Sequence, residues 1–196
     1  MNNPLVHPLE ANDEELNKLI TFYNETLGFC PNSVKTMFRR PQIAYAFINL
    51  NKAVMENKGT VSSKMKRLIG YLTSTVSGCN YCRAHTILAA ERYGANNNQI
   101  KEVWDFRSSR HFSEKEKAAF EFALAASTIP NRVDEKIATQ MRKYWDDGEI
   151  VEILGVISLF GFLNRWNDSM ATTIEDGAYA SGNKHIDSWN PKKHIR

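Results

Sequence analysis

The chain has 196 residues, a net charge of +3 and 42% apolar residues, enough for one domain that buries roughly 70% of its unfolded surface without staples. A charge so mild and so evenly spread gives no reason to expect nucleic acid or a membrane surface as a partner. Three cysteines, an odd and low count, exclude a secreted disulfide framework.

"MNNPLVHPLEAND" has neither the basic nor the apolar region of a signal peptide. The longest apolar run, "IVEILGVISLFGFL", is interrupted by Glu152 and falls short of the ~20 residues of a membrane span. A cytoplasmic protein is expected.

In chain order, residues 13–28 predict a helix, with Asp13, Glu14 and Glu15 at its start and Gly28 at its end. "CPNS" is a break, where Asn32 or Ser33 caps the next helix. After Pro41, Ile43, Ala46, Phe47, Leu50, Ala53 and Val54 recur at helical spacing until "NKGT". "SSKMKRLIGYLTSTVSG" is a helix capped by Ser62 or Ser63, with Leu68, Ile69, Leu72 and Val76 facing inward.

"CNYCRAHTILAAERYG" is helical again and stops at Gly94, and residues 97–106 make a short helix. Ser113 and Glu116 form a capping box that opens a helix running to Pro130. "DEKIATQMRKYW" is amphipathic, and the long apolar segment from Asp147 reads as the central core helix. Residues 177–196, rich in Gly, Ser, Asn and Pro, read as a C-terminal arm or flexible tail after a domain spanning 1–176. No stretch alternates as a strand does. The expected fold is all-α, one domain, about eight helices.

The chemistry concentrates in "SGCNYCRAHT", residues 77–86. A Cys-x-x-Cys pair at a helix start can close an internal disulfide, and the free N–H groups there favour a thiolate. On a helical wheel each step of three residues turns by roughly −60°, so Cys79, Cys82 and His85 form a shallow ladder with Cys82 in the middle. Cys82 as nucleophile, with His85 handling its proton, fits that ladder. Cys79 as nucleophile fits the helix dipole. The spacing leaves both open.

Two inert thiols, or a zinc site, are the competing readings. A structural zinc takes four ligands, and the segment supplies three. His7, His185 and His194 show no ligand spacing to it, which leaves His111 as the one plausible fourth.

The stretch "KMKRLIGYLTSTVSGCNYCRAHTILAAERYG" resembles the core of the carboxymuconolactone decarboxylase family, in its alkyl hydroperoxidase D-like branch. "LGFCPNSVKTMFRRP", "FSEKEKAAFEFALAAS" and "LFGFLNRWNDSMAT" resemble the longer, peroxidase-related members, so the likeness runs from about residue 25 to 176. It implies a helical fold assembled as trimers or hexamers, and a Cys79–Cys82 pair cycling between dithiol and disulfide. It also implies that Cys82 attacks a hydroperoxide, that Cys79 resolves the product, and that glutamate, histidine and the cysteines relay protons. A dithiol protein or small thiol is the implied reductant, with no metal, haem or flavin.

Two positions depart from the family pattern. Arg67 stands where the relay glutamate is usual, and Thr86 where the relay histidine is usual, with His85 one residue earlier. Glu56, Glu91 and Asp168 are the candidates for the acid. Arg67 either holds an anion, lowers a thiol pKa, or is a solvated helix arginine.

The expected function is therefore a thiol-dependent antioxidant oxidoreductase. The alternatives are a disulfide carrier without peroxidase activity, a non-enzymatic helical assembly protein, and a decarboxylase. Asn164, Arg165, Trp166 and Asp168 line a pocket or subunit contact, or else Arg165 and Asp168 form an intrahelical pair with Trp166 packed beside them. Cys30 reads as a small buried hydrophobe.

Overall fold

A computed structural model of the chain describes residues 3–11, 14–56 and 59–195. Asp13, expected in the first turn of the first helix, and Asn57 and Lys58 of the expected break lie outside the described residues. Among the described residues there are α-helices, one 3₁₀ turn and no strand. The helices are α1 (Glu14–Thr26), α2 (Asn32–Met37), α3 (Pro41–Met55), α4 (Ser63–Val76), α5 (Asn80–Arg92), α6 (Asn97–Glu102), α7 (Glu114–Ser127), α8 (Glu135–Tyr144), α9 (Asp147–Met170) and α10 (Asp176–His185). None is long and apolar enough to cross a membrane.

The all-α class holds, with ten α-helices among the described residues rather than about eight. One forms where an arm or flexible tail was expected, and another starts earlier than its expected cap at Asn32 or Ser33. α2 begins inside "CPNS", with Pro31 at its N-cap. α10 and the 3₁₀ turn Lys192–His194 occupy the expected arm or flexible tail, and α10 packs on α5. Ala178, Gly182, Ile186 and His194 are buried there, so this segment belongs to the body of the fold.

The expected caps at Ser62 and Ser113 form: Ser62 accepts the Met65 N–H, and Ser113 makes its box with Glu116. The centre of the core is α4 rather than the long α9. Every residue from Met65 to Ser74 is buried, and α5, α7 and α9 pack around it. α9 buries Ile153, Val156, Phe160 and Leu163 but exposes Val151, Leu154 and Phe162 on its other face. Gly70 lets the two helices approach closely, since a Cβ there would lie 2.5 Å from the Phe160 ring.

The turn from α4 to α5 places the cysteines. Gly78, at φ +71°, donates its N–H to Thr75 O, and Cys79 N–H reaches back to Ser74 O, both at 3.1 Å. This is a Schellman closure of α4. Cys79 ends that motif and is at once the N-cap of α5.

Candidate active site

Cys79 and Cys82 are free, buried thiols at the start of α5. The Cys82 thiol hydrogen-bonds to Cys79 and is the main reason the Cys79 pKa is lowered; burial opposes this, and His194 and the Cys82 N–H assist. Cys82 shifts the other way. Burial raises its pKa first and the neighbouring Cys79 raises it further, while Asn167, whose Nδ2 donates to Cys82 Sγ at 3.4 Å, opposes the rise. The two shifts are opposed and favour the negative charge on Cys79 and the hydrogen on Cys82.

His85 sits one turn below Cys82. Its Nδ1 donates to the Tyr81 carbonyl at 2.8 Å, and its Nε2 lies 2.8 Å from Glu175 Oε2. The carbonyl at Nδ1 and the carboxylate beside Nε2 both favour the protonated ring. Burial alone would lower the His85 pKa, but the Glu175 carboxylate outweighs it and the net shift is upward.

Glu175 moves down for the reciprocal reason: burial is opposed by His85, the Asn32 N–H and the Tyr81 hydroxyl. Tyr81 Oη donates to Glu175 Oε1 at 2.8 Å, the Asn32 N–H donates to the same oxygen, and the Tyr81 ring stacks on His85 at 4.1 Å. The His85–Glu175 contact is an ion pair without an aligned hydrogen bond, so the Nε2 proton is not fully committed to the carboxylate.

Cys82, His85 and Asn167 line a cavity of about 80 Å³ with walls of Phe22, Phe47 and Leu163; Cys79 is not on its surface. Cys79 instead faces His194 from the C-terminal 3₁₀ turn. His194 is 1% exposed, and its Nδ1 lies 2.9 Å from the Thr172 carbonyl. Nδ1 therefore carries a proton, and Nε2 lies 3.8 Å from Asp168 Oδ1.

None of the acids expected from sequence reaches His85. Glu91 pairs with Lys184 and His185, and Asp168 with Lys193 at 2.9 Å and His194 at 3.8 Å rather than with Arg165. The Glu56 carbonyl serves Lys66. The acid at His85 is Glu175, which no local spacing could reveal because it lies 90 positions along the chain, at the N-cap of α10.

His194 is hidden from sequence reading for a related cause: its partner is a single thiol far away in the chain, not a ligand set. His111 pairs with Glu102 at 3.7 Å, and among the described residues no group of three or more His, Cys, Asp or Glu is placed to hold a metal. Trp166 Nε1 donates to Thr36 Oγ1 at 3.0 Å, and the Trp166 ring stacks on Phe162. Cys30 is buried, with its pKa raised to about 12 chiefly by burial. Arg67, 3% exposed, is no solvated helix arginine and lines the cavity.

An all-helical body with a cysteine pair at the α4–α5 turn can be set beside known proteins. The family model "Carboxymuconolactone decarboxylase family" matches residues 41–125. The debrominase Bmp8 superposes with a TM-score of 0.82 at 34% identity, covering 91% of this chain and 96% of that one. A cysteine-to-alanine variant of Bmp8 in complex with 2,3,4-tribromopyrrole gives 0.84 at 32% identity, covering 93% and 97%. The chain belongs to the carboxymuconolactone decarboxylase family.

A peroxidase-related protein with an AhpD core from Ralstonia eutropha JMP134 shares the fold, with a TM-score of 0.76 at 19% identity over 89% of this chain and 95% of that one. The uncharacterized protein YnjA of Escherichia coli (strain K12) is 33% identical over 93 residues, 47% of this chain and 50% of YnjA. The match thus spans half of that relative's length.

Proposed function

We propose that this protein is a dithiol-dependent reductase that delivers two electrons from Cys79 and Cys82 to a small molecule held in the cavity, with an organic hydroperoxide as the leading substrate. The observation that carries this reading is the division between the thiols: Cys82 fronts the cavity and Cys79 stores the charge behind it.

Cys82 sulfur attacks the terminal peroxide oxygen while its proton passes to the Cys79 thiolate. The O–O bond breaks, Cys82 becomes a sulfenic acid, and the alkoxide takes a proton from the His85 imidazolium. Cys79 then attacks the Cys82 sulfur, the S–O bond breaks, and water leaves as the disulfide forms. The products are one alcohol, one water, one disulfide and neutral His85, which regains its proton from solvent. A dithiol protein or small thiol reduces the disulfide by exchange.

A second reading, reductive dehalogenation, is favoured by the full-length likeness to the debrominase at 34% identity and by the aromatic walls of the cavity. The same pair serves: sulfur takes the halogen from a protonated ring carbon, and Cys79 displaces halide as the disulfide closes. The exposed Val151, Leu154 and Phe162 face of α9 supports self-assembly into a homo-oligomer.

The test is mass spectrometry of alkylated protein after one equivalent of tert-butyl hydroperoxide or of a bromopyrrole, with wild type beside Cys79→Ser and Cys82→Ser. The peroxidase reading expects a Cys79–Cys82 disulfide in wild type and a trapped sulfenic acid only in Cys79→Ser. Bromide release with disulfide formation, and no response to peroxide, supports the second reading. Thiols that stay reduced with both substrates overturn both readings and leave a disulfide carrier, a decarboxylase or an inert helical protein.

A further inference from the structure

α4 buries two consecutive cations, and they are treated differently. Lys66, 1% exposed, pairs with the Glu152 carboxylate and donates to the Val54 and Glu56 carbonyls at 2.8 Å. Arg67, 3% exposed, has no carboxylate within 4.0 Å among the described residues. Its Nη1 donates to the Met55 and Ser63 carbonyls at 3.3 and 3.2 Å, and its guanidinium carbon lies 4.0 Å from the centre of the Tyr93 ring. Neutral carbonyls and a ring face orient a guanidinium without cancelling its charge, and an uncompensated buried charge is costly.

The guanidinium is on the wall of the cavity that also contains Cys82 and His85. We propose that Arg67 is the anchor for a negatively charged group on the substrate, so that the cavity takes a small aromatic or unsaturated acid anion with its reacting atom turned toward Cys82. The orientation toward Cys82 rests on the dithiol reading; the binding of the anion does not.

The size of the site limits the ligand. A cavity of about 80 Å³, at roughly 10–15 Å³ for each water-sized centre, has room for about five to eight heavy atoms, one small ring with one substituent. Phe22, Phe47 and Leu163 offer that ring apolar contact, while Arg67 supplies a planar fork matched to a carboxylate. A neutral molecule of the same shape would fill the volume and leave the cation unpaired.

The experiment compares 2-furoate with its neutral isostere 2-furamide, titrated into the reduced protein by calorimetry, for wild type, Arg67→Lys and Arg67→Met. A charge-assisted contact predicts that wild type binds 2-furoate roughly ten- to a hundred-fold more tightly than 2-furamide. Arg67→Met loses that preference, and Arg67→Lys keeps part of it. Equal binding of the two ligands by wild type, no binding of either, or a preference that survives in Arg67→Met would each overturn the proposal.

The wild-type comparison stands even if Arg67→Met fails to fold. No turnover is involved, so an inactive dithiol cycle leaves the result readable. Conversely, a working cycle with no anion preference overturns the anchor alone.

Discussion

Glu175→Gln tests the polar cluster behind the cavity. The substitution keeps the size of the side chain and one acceptor oxygen but removes the charge that faces His85 at 2.8 Å. Both side chains are largely buried, His85 at 10% and Glu175 at 14% exposure, so removing one partner costs about 3 kcal/mol where both are charged.

The sign with pH comes from the two shifts. The His85 pKa is raised, so its contribution is complete below the ordinary value of 6.5 and fades as pH rises through the raised value. The Glu175 pKa is lowered, so its contribution is complete above the ordinary value of 4.5 and fades as pH falls through the lowered value. The cost of Glu175→Gln is therefore greatest between those two ordinary values.

At high pH His85 sheds its proton, and the remaining loss comes from weaker acceptance of the Tyr81 hydroxyl and the Asn32 N–H, about 1 kcal/mol. Urea unfolding of wild type and variant at about pH 5.5 and about pH 8.5 measures both limits. At the lower pH, Tm should fall by about 6–12 °C. A cost that is flat with pH, or largest in alkali, refutes the imidazolium–carboxylate pair.

The thiols and the core give further expectations. Ultraviolet thiolate absorbance at neutral pH should vanish in Cys79→Ser, while Cys82→Ala, which removes the donor with the largest effect on Cys79, should move the Cys79 titration upward; a thiolate signal that persists in Cys79→Ser reverses the assignment. His194→Ala should also move that titration upward, because it removes a hydrogen bond and nearby charge from Cys79, and an unchanged midpoint would remove His194 from the site. Gly70→Ala forces a Cβ to within 2.5 Å of the Phe160 ring and should cost about 1–3 kcal/mol in urea unfolding, with an unchanged midpoint showing that α9 yields freely.

The features legible in the sequence were local. Ser62, Ser113 with Glu116, Gly28 and Gly94 act within one or two turns of themselves, so caps and stops were readable at those positions. The Cys79–Cys82–His85 ladder was readable because one helix and its N-cap carry all three. Glu175, Asn167 and His194 were not, because each reaches α5 from a segment at least 85 positions away.

Apolar content also misled. α9 is the longest apolar helix, yet Val151, Leu154 and Phe162 lie outside, whereas α4 is buried even at Lys66 and Arg67 because their charges meet carbonyls, a carboxylate and a ring. Burial of a cation depends on its tertiary partners, which periodicity does not encode.

The placement of protons makes one more consequence testable under the proposed cycle. Attack by Cys82 is promoted by an ionised Cys79 that receives its proton, and release of the alkoxide is promoted by a protonated His85. Both shifts favour that combination, since Cys79 is lowered and His85 is raised. The profile of kcat/KM with pH should then be a plateau whose acid limb belongs to Cys79 and whose alkaline limb belongs to His85. His194→Ala should move the acid limb up, toward the ordinary thiol value, and leave the alkaline limb in place. Glu175→Gln should move the alkaline limb down, because His85 loses the carboxylate that raises it. If Glu175→Gln shifts the acid limb instead, the His85–Glu175 pair acts on the thiols rather than on the leaving group, and the division of labour between the two faces of α5 is wrong.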